Sequence, residues 1–129
     1  MEIVKSIDRQ SYAVKISLEE GGQVVGWVFL YIKFQDRHIE PYGYLENLFV
    51  EPAFQKRGLG TRLINLAIAE AKERGCYKII GTSKHHKIDV HRWYEKHGFK
   101  KYGYAFRLDL IEDSRTMTSD GEEAWTELV

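Results

Sequence analysis

At 129 residues the chain has the length of one domain, with enough material for a core that needs neither disulfide nor metal to hold it. Its 43% hydrophobic and 29% charged residues read as globular, and no apolar stretch reaches membrane-spanning length. Formal net charge is zero, which removes any global pull toward nucleic acid or an acidic membrane, and the single Cys76 excludes an intrachain disulfide.

The start, MEIVKSIDRQ, is charged and poor in apolar residues, unlike a secretion signal; with the lone cysteine this predicts a cytoplasmic protein. SYAVKISLEE then alternates Tyr12, Val14, Ile16 and Leu18 against polar partners, the pattern of a half-buried strand. Gly21-Gly22 predicts a hairpin turn and QVVGWVFLYIKF a long second strand. QDRHIEPYG, with Pro41 and Gly43, reads as a polar loop, and YLENLFV, 44–50, as a third strand ended by Glu51-Pro52.

The period then changes. Leu59, Leu63, Leu66, Ala67 and Ala71 recur at helical spacing over 58–74, with Gly75 as the stop. CYKIIGTS, 76–83, predicts a strand, DVHRWYEKHG a shorter helix stopped by Gly98, and KYGYAFRLDLI a closing strand. Strand 44–50, helix 58–74 and strand 76–83 form a βαβ unit with parallel strands. The fold class is α+β: one mixed, mostly antiparallel sheet with a central βαβ unit and two helices. From Glu112 onward the chain carries a net −5, so the preceding part carries +5. The tail reads as a solvated acidic extension, although Trp125, Leu128 and Val129 leave open its docking on the body or on a second copy.

FQKRGLGTRL, residues 54–63, falls at the turn from strand to helix. A helix start leaves amides unpaired and carries about half a positive charge, and glycine admits a ligand close to the backbone. The natural guest is a phosphate. A Walker A string is absent, and Leu63 stands where a dinucleotide-binding loop has its third glycine. A basic nucleic-acid patch and an ordinary loop are the competing readings.

Gln55, Gly58 and Gly60 fit Q/R-x-x-G-x-G/A, which resembles the coenzyme A pyrophosphate loop of the GNAT superfamily of N-acetyltransferases. LENLFVEP, 45–52, and WYEKHGF, 93–99, resemble the strand before that loop and the later helix of the same family, in the same order. The agreement covers residues 44–107 and implies an acyl-CoA N-acyltransferase fold over 1–111, followed by the extension 112–129. It implies acetyl-CoA as cosubstrate, with its pantetheine arm between two splayed strands, 44–50 and 76–83. Backbone at Leu48 and Val50 would hold that arm, the Val50 N–H polarising the thioester carbonyl. Gln55, Lys56, Arg57, Gly58, Gly60 and Thr61 would hold the pyrophosphate. Tyr94 matches the tyrosine that serves as general acid.

Glu46 is the candidate base, directly or through water. Period-2 parity puts it on the face of Leu48 and Val50, where a carboxylate among apolar neighbours would hold its proton more tightly; pairing with a sheet lysine or arginine is an equal alternative. Tyr94 and Trp93 have a core-filling alternative as well. His85 or His86 is a lesser candidate base, and SKHHK a candidate 3′-phosphate contact. His91 and His97, six apart, do not share a helix face, so no metal is expected. The family's usual helix pair between its first two strands has no room in the first 20 residues, which predicts a short variant whose acceptor wall is open or completed by a partner subunit, a homodimer mate, or the tail. Lys87 stands where the family often has Asn. Asp36, Glu40, Tyr42, Tyr44 and Glu46 lean toward a cationic small amine as acceptor, with protein amines open too. The alternative reading is a coenzyme A-binding regulatory or partner module without catalysis.

Overall fold

The computed structural model describes residues 1–83 and 87–111. Strands β1 (Tyr12–Glu20), β2 (Gln23–Gln35), β3 (His38–Val50) and β4 (Ile79–Ile80) form one sheet in the order β1-β2-β3-β4. The first three are antiparallel and β4 lies parallel to β3. Helix α1 (Leu59–Glu73) links β3 to β4, and α2 (Ile88–Lys96) follows. Residues 1–10 form neither helix nor strand.

Local chemistry accounts for each junction. Gly21 and Gly22 both take positive φ, 59° and 79°, as the tight β1–β2 hairpin demands. Helix α1 turns Leu63, Ile64, Ala67 and Ala71 onto one face of the sheet, against Val28, Leu30, Ile32, Leu45 and Val50. Val90, Trp93 and Tyr94 carry α2 into the same core. Both helices stop where glycines predict: Gly75 and Gly98 have φ of 80° and 92°. The opposite sheet face holds Trp27, Phe29, Tyr31, Tyr44 and Phe49, only partly buried, with Trp27 stacked on Phe49 at 4.6 Å.

Three expectations change. The loop expected over 35–43 is largely strand, because β3 begins at His38; a register shift between Lys33 and Gln35 accommodates the buried Pro41, which has no amide to pair. The strand expected over 76–83 shortens to Ile79–Ile80. The closing strand expected at 101–111 does not form among the described residues, where that stretch is unpaired and exposed. Its alternation is real, but an isolated strand gains nothing without a neighbour. The tail from 112, with Trp125, lies outside the described residues.

Candidate active site

The site begins with an irregularity in β3. Phe29 pairs with Glu46 but Trp27 pairs with Phe49, so β3 spends one residue more than β2 there. Asn47 absorbs the excess with φ 56°, a left-handed conformation that asparagine tolerates better than most side chains. The bulge reverses the parity that would set Glu46 beside Val50. Glu46 shares the aromatic face with Phe29, whereas Val50, opposite Gly26, faces α1. Glu46 is also exposed rather than set among apolar neighbours.

Beyond the bulge the two parallel strands part. The β3–β4 ladder contains Gly43–Ile79 and Tyr44–Ile80 and goes no further. A cleft of about 220 Å³ opens there, lined by Val28, Glu46, Leu48, Ile64, Thr82 and Tyr94 among others. Backbone direction is fixed by the neighbouring residue: the Glu51 N–H donates to Val25 of β2 at 2.8 Å. By strand alternation the N–H groups of Val50 and Leu48 therefore point away from β2, toward the gap.

Tyr94 stands on the other wall. It is 9% exposed, and burial, with a smaller effect of Tyr44, pushes its phenol up to about 12. Its ring rests on Gly81, where any Cβ would lie 2.6 Å from the hydroxyl oxygen. Gly81 is thus required by the ring beside it, and sequence reasoning missed it; the clue was a glycine directly after the strand residues Ile79-Ile80. The sequence suggests Tyr44 only as an acceptor contact. In the structure it donates to the Thr82 hydroxyl at 3.5 Å at the edge of the same cleft, bridging the parting strands.

Past Val50, the loop runs into α1. Lys56 and Gly58 take φ of 62° and 77°, and no side chain caps the helix start. The amides of Leu59, Gly60 and Thr61 are therefore left for solvent or a ligand. Gly60 is buried, Thr61 half-buried, and Lys56, Arg57 and Arg62 are exposed. The Gln55 side chain does something else: its Nε2 donates to the Val50 carbonyl at 3.0 Å, tying the loop to the strand end. The Arg57 guanidinium lies 5.0 Å from the Phe54 ring.

The acceptor residues separate. Glu40 pairs with His38 at 3.0 Å, and Lys78 and Lys33 sit over the rings of Tyr42 and Tyr44 at 5.4 and 4.6 Å. His85 and His86 lie outside the described residues. Among the described residues no group of three His, Cys, Asp or Glu could hold a metal, and no helix is long and apolar enough to cross a membrane.

A model of the acetyltransferase (GNAT) family matches residues 3–99. Glucosamine 6-phosphate N-acetyltransferase of Trypanosoma brucei brucei is 35% identical over 91 residues, covering 69% of this chain and 59% of the relative. Aminoalkylphosphonate N-acetyltransferase of Salmonella typhimurium is 28% identical over 89 residues, covering 69% and 58%. A crystal structure of a Trypanosoma brucei acetyltransferase superposes with a TM-score of 0.68 at 30% identity, covering 76% of this chain and 69% of the other. The chain spans about three fifths of the length of these curated relatives.

Proposed function

The chain belongs to the acetyltransferase (GNAT) family, and from that premise we propose that it transfers an acetyl group from acetyl-CoA to a small primary amine by direct attack on the thioester. The observation that carries the reading is the parted β3–β4 pair, with the Val50 N–H directed to the gap from one wall and Tyr94 standing on the other. An acyl arm threaded there would meet backbone on β3 where a further strand is missing. Its diphosphate would meet the uncapped amides of Leu59, Gly60 and Thr61, with Lys56 and Arg57 alongside.

The chemistry asks little else. The thioester is already activated, so alignment supplies much of the rate. A lysine-like amine titrates near ~10.4 and must lose a proton before it can attack. Glu46, exposed at the mouth of the cleft, takes that proton through water. Attack forms the C–N bond and puts negative charge on the carbonyl oxygen, which the Val50 N–H stabilises. Collapse breaks the C–S bond, and the Tyr94 hydroxyl donates to the departing sulfur, so that coenzyme A leaves as the thiol; the proton shed by the new amide nitrogen returns to the phenolate, and Glu46 releases the one it took to solvent.

For the acceptor, the rings of Tyr42 and Tyr44 are already covered by the chain's own lysines. That turns the reading away from a purely cationic amine. Lys33 and Lys15, which sits over Trp27 and Phe29, line the aromatic face that also carries Glu46. Such a face suits an amine bearing an anionic group, the chemistry that the names of the two relatives carry. The test is thiol release from acetyl-CoA across glucosamine 6-phosphate, aminoethylphosphonate, glucosamine and spermidine. Turnover is expected with the first two and loss of kcat, with affinity kept, in Tyr94→Phe; Glu46→Gln should lower kcat with acetyl-CoA affinity kept. Tight acetyl-CoA binding with no turnover on any amine would leave a coenzyme A-binding module instead.

A further inference from the structure

The strand registers order the sheet face turned away from α1. Residues paired across neighbouring strands share a face. The pairs Lys15–Phe29 and Phe29–Glu46 therefore set three side chains in one row across β1, β2 and β3. Phe29 stands in the middle, with a lysine on one side and a carboxylate on the other. Two strand spacings separate the outer pair, about 10 Å. Glu46 is the end at the cleft, sharing its lining with Leu48, Thr82 and Tyr94. Lys15 is the far end, on the first strand in the sheet order.

Both outer groups are exposed, and among the described residues neither has an ion-pair partner. The Lys15 ammonium lies 5.0 Å from the Trp27 ring centre and 5.4 Å from that of Phe29, so it leans over the middle strand. Its neighbours on that face of β1 are Ala13 and Ser17, paired with Tyr31 and Trp27, and both are small. The ammonium is thus open to a molecule lying along the row. Lys33 differs. It pairs with Tyr42, four residues before Glu46 and so about 13 Å down β3. Its ammonium already covers the Tyr44 ring at 4.6 Å.

A cation and a carboxylate at the two ends of a short apolar row match a molecule with the opposite order of charge. Glu46 attracts an ammonium, Lys15 attracts an anion, and the ring between them suits a carbon skeleton. A polyamine would set one of its own cations against Lys15, and a neutral amine would leave Lys15 unused. We propose that Lys15 is the specificity-determining residue for the acceptor, on the acetyl-transfer reading of the cleft, which gives the amine end its place. Lys15 holds the anionic group of a small zwitterionic amine, and the amine end is thereby carried to Glu46 and the cleft mouth. The row limits the separation of the two charges to less than about 10 Å, which selects compact acceptors over long ones.

Titration calorimetry on the full chain with coenzyme A present, using aminoethylphosphonate, taurine and ethanolamine, reads the anion subsite without turnover. Thiol release from acetyl-CoA with the same amines reads the transfer. The two zwitterions should bind at least about tenfold more tightly than ethanolamine. Lys15→Gln should weaken aminoethylphosphonate by about tenfold, closing that gap, and should raise its KM rather than lower kcat. Lys15→Glu should reverse the preference in favour of 1,3-diaminopropane. Three results would overturn the assignment: no binding of either zwitterion, equal weakening of ethanolamine in Lys15→Gln, or a greater loss in Lys33→Gln than in Lys15→Gln. Binding that depends on Lys15 but is followed by no thiol release would uphold the anion subsite and overturn the transfer reading alone. Thiol release with a KM indifferent to Lys15 would do the reverse.

Discussion

The two ends of β3 face the same neighbour and behave oppositely. At the lower end Gly43 and Tyr44 pair with Ile79 and Ile80, the Gly43 N–H donates to Lys78 at 2.9 Å, and the Tyr77 N–H donates to Pro41 at 3.0 Å. At the upper end, from Asn47 to Val50, no ladder to β4 forms. Apolar packing is good at both ends, with Leu45 and Val50 each buried. What differs is geometry: the extra residue at Asn47 redirects β3. The gap is built by the chain rather than opened by a ligand.

The sharpest way to break this contrast is at Gly81. A valine there would force the Tyr94 ring from its seat, since even a Cβ lies 2.6 Å from its hydroxyl. Turnover should fall by about 100-fold or more, in keeping with the cost of misplacing a reacting group by an ångström. Wild-type kcat in Gly81→Val would remove Tyr94 from the reaction centre. Next comes the pH profile. Because burial raises the phenol to about 12, its proton is retained and its donor role persists up to that value. Between pH 8 and 10 the wild-type rate should therefore show no decline that Tyr94→Phe abolishes; finding one would place the phenol's ionisation far lower.

The loop into α1 responds less. Gly58 has φ 77°, so Gly58→Ala should cost about 1 kcal/mol of stability and raise the acetyl-CoA KM roughly tenfold as the amides turn away. Thermal melts and saturation curves check both. Smallest of all, Gln55→Ala removes one hydrogen bond to the Val50 carbonyl, about 1 kcal/mol, with a KM change of about twofold. A larger KM effect than that of Gly58→Ala would reverse the order of importance within the loop.

Much of this is legible in the amino-acid sequence. The change of period at Leu59, the glycine stops at 75 and 98, and the antiparallel-then-parallel pairing of the strands follow from spacing and turn signals. So does the position of the turn into α1, because glycine and helix starts are local features. Glu46 shows where that legibility ends. Parity assumes an unbroken pleat, and Asn47 breaks it. The hint is present, since Leu45 and Val50 are five apart and cannot share a face without an inserted residue. The 101–111 stretch fails differently. Its alternation records what the segment prefers, while strand formation depends on a neighbour that the segment does not contain. Gly81 escapes because its reason lies in a ring thirteen positions later.

The Gln55–Val50 link has one more implication. On the proposed reading, the groups that grip a donor's diphosphate and those that grip its acyl carbonyl are bolted together by a single amide. The spacing between them then resists change by about the 1 kcal/mol of that one bond. The protein then acts as a gauge: a donor whose arm is one bond too short or too long would fit at either end but not at both, and carrier length, rather than either end group, would decide which thioesters are used.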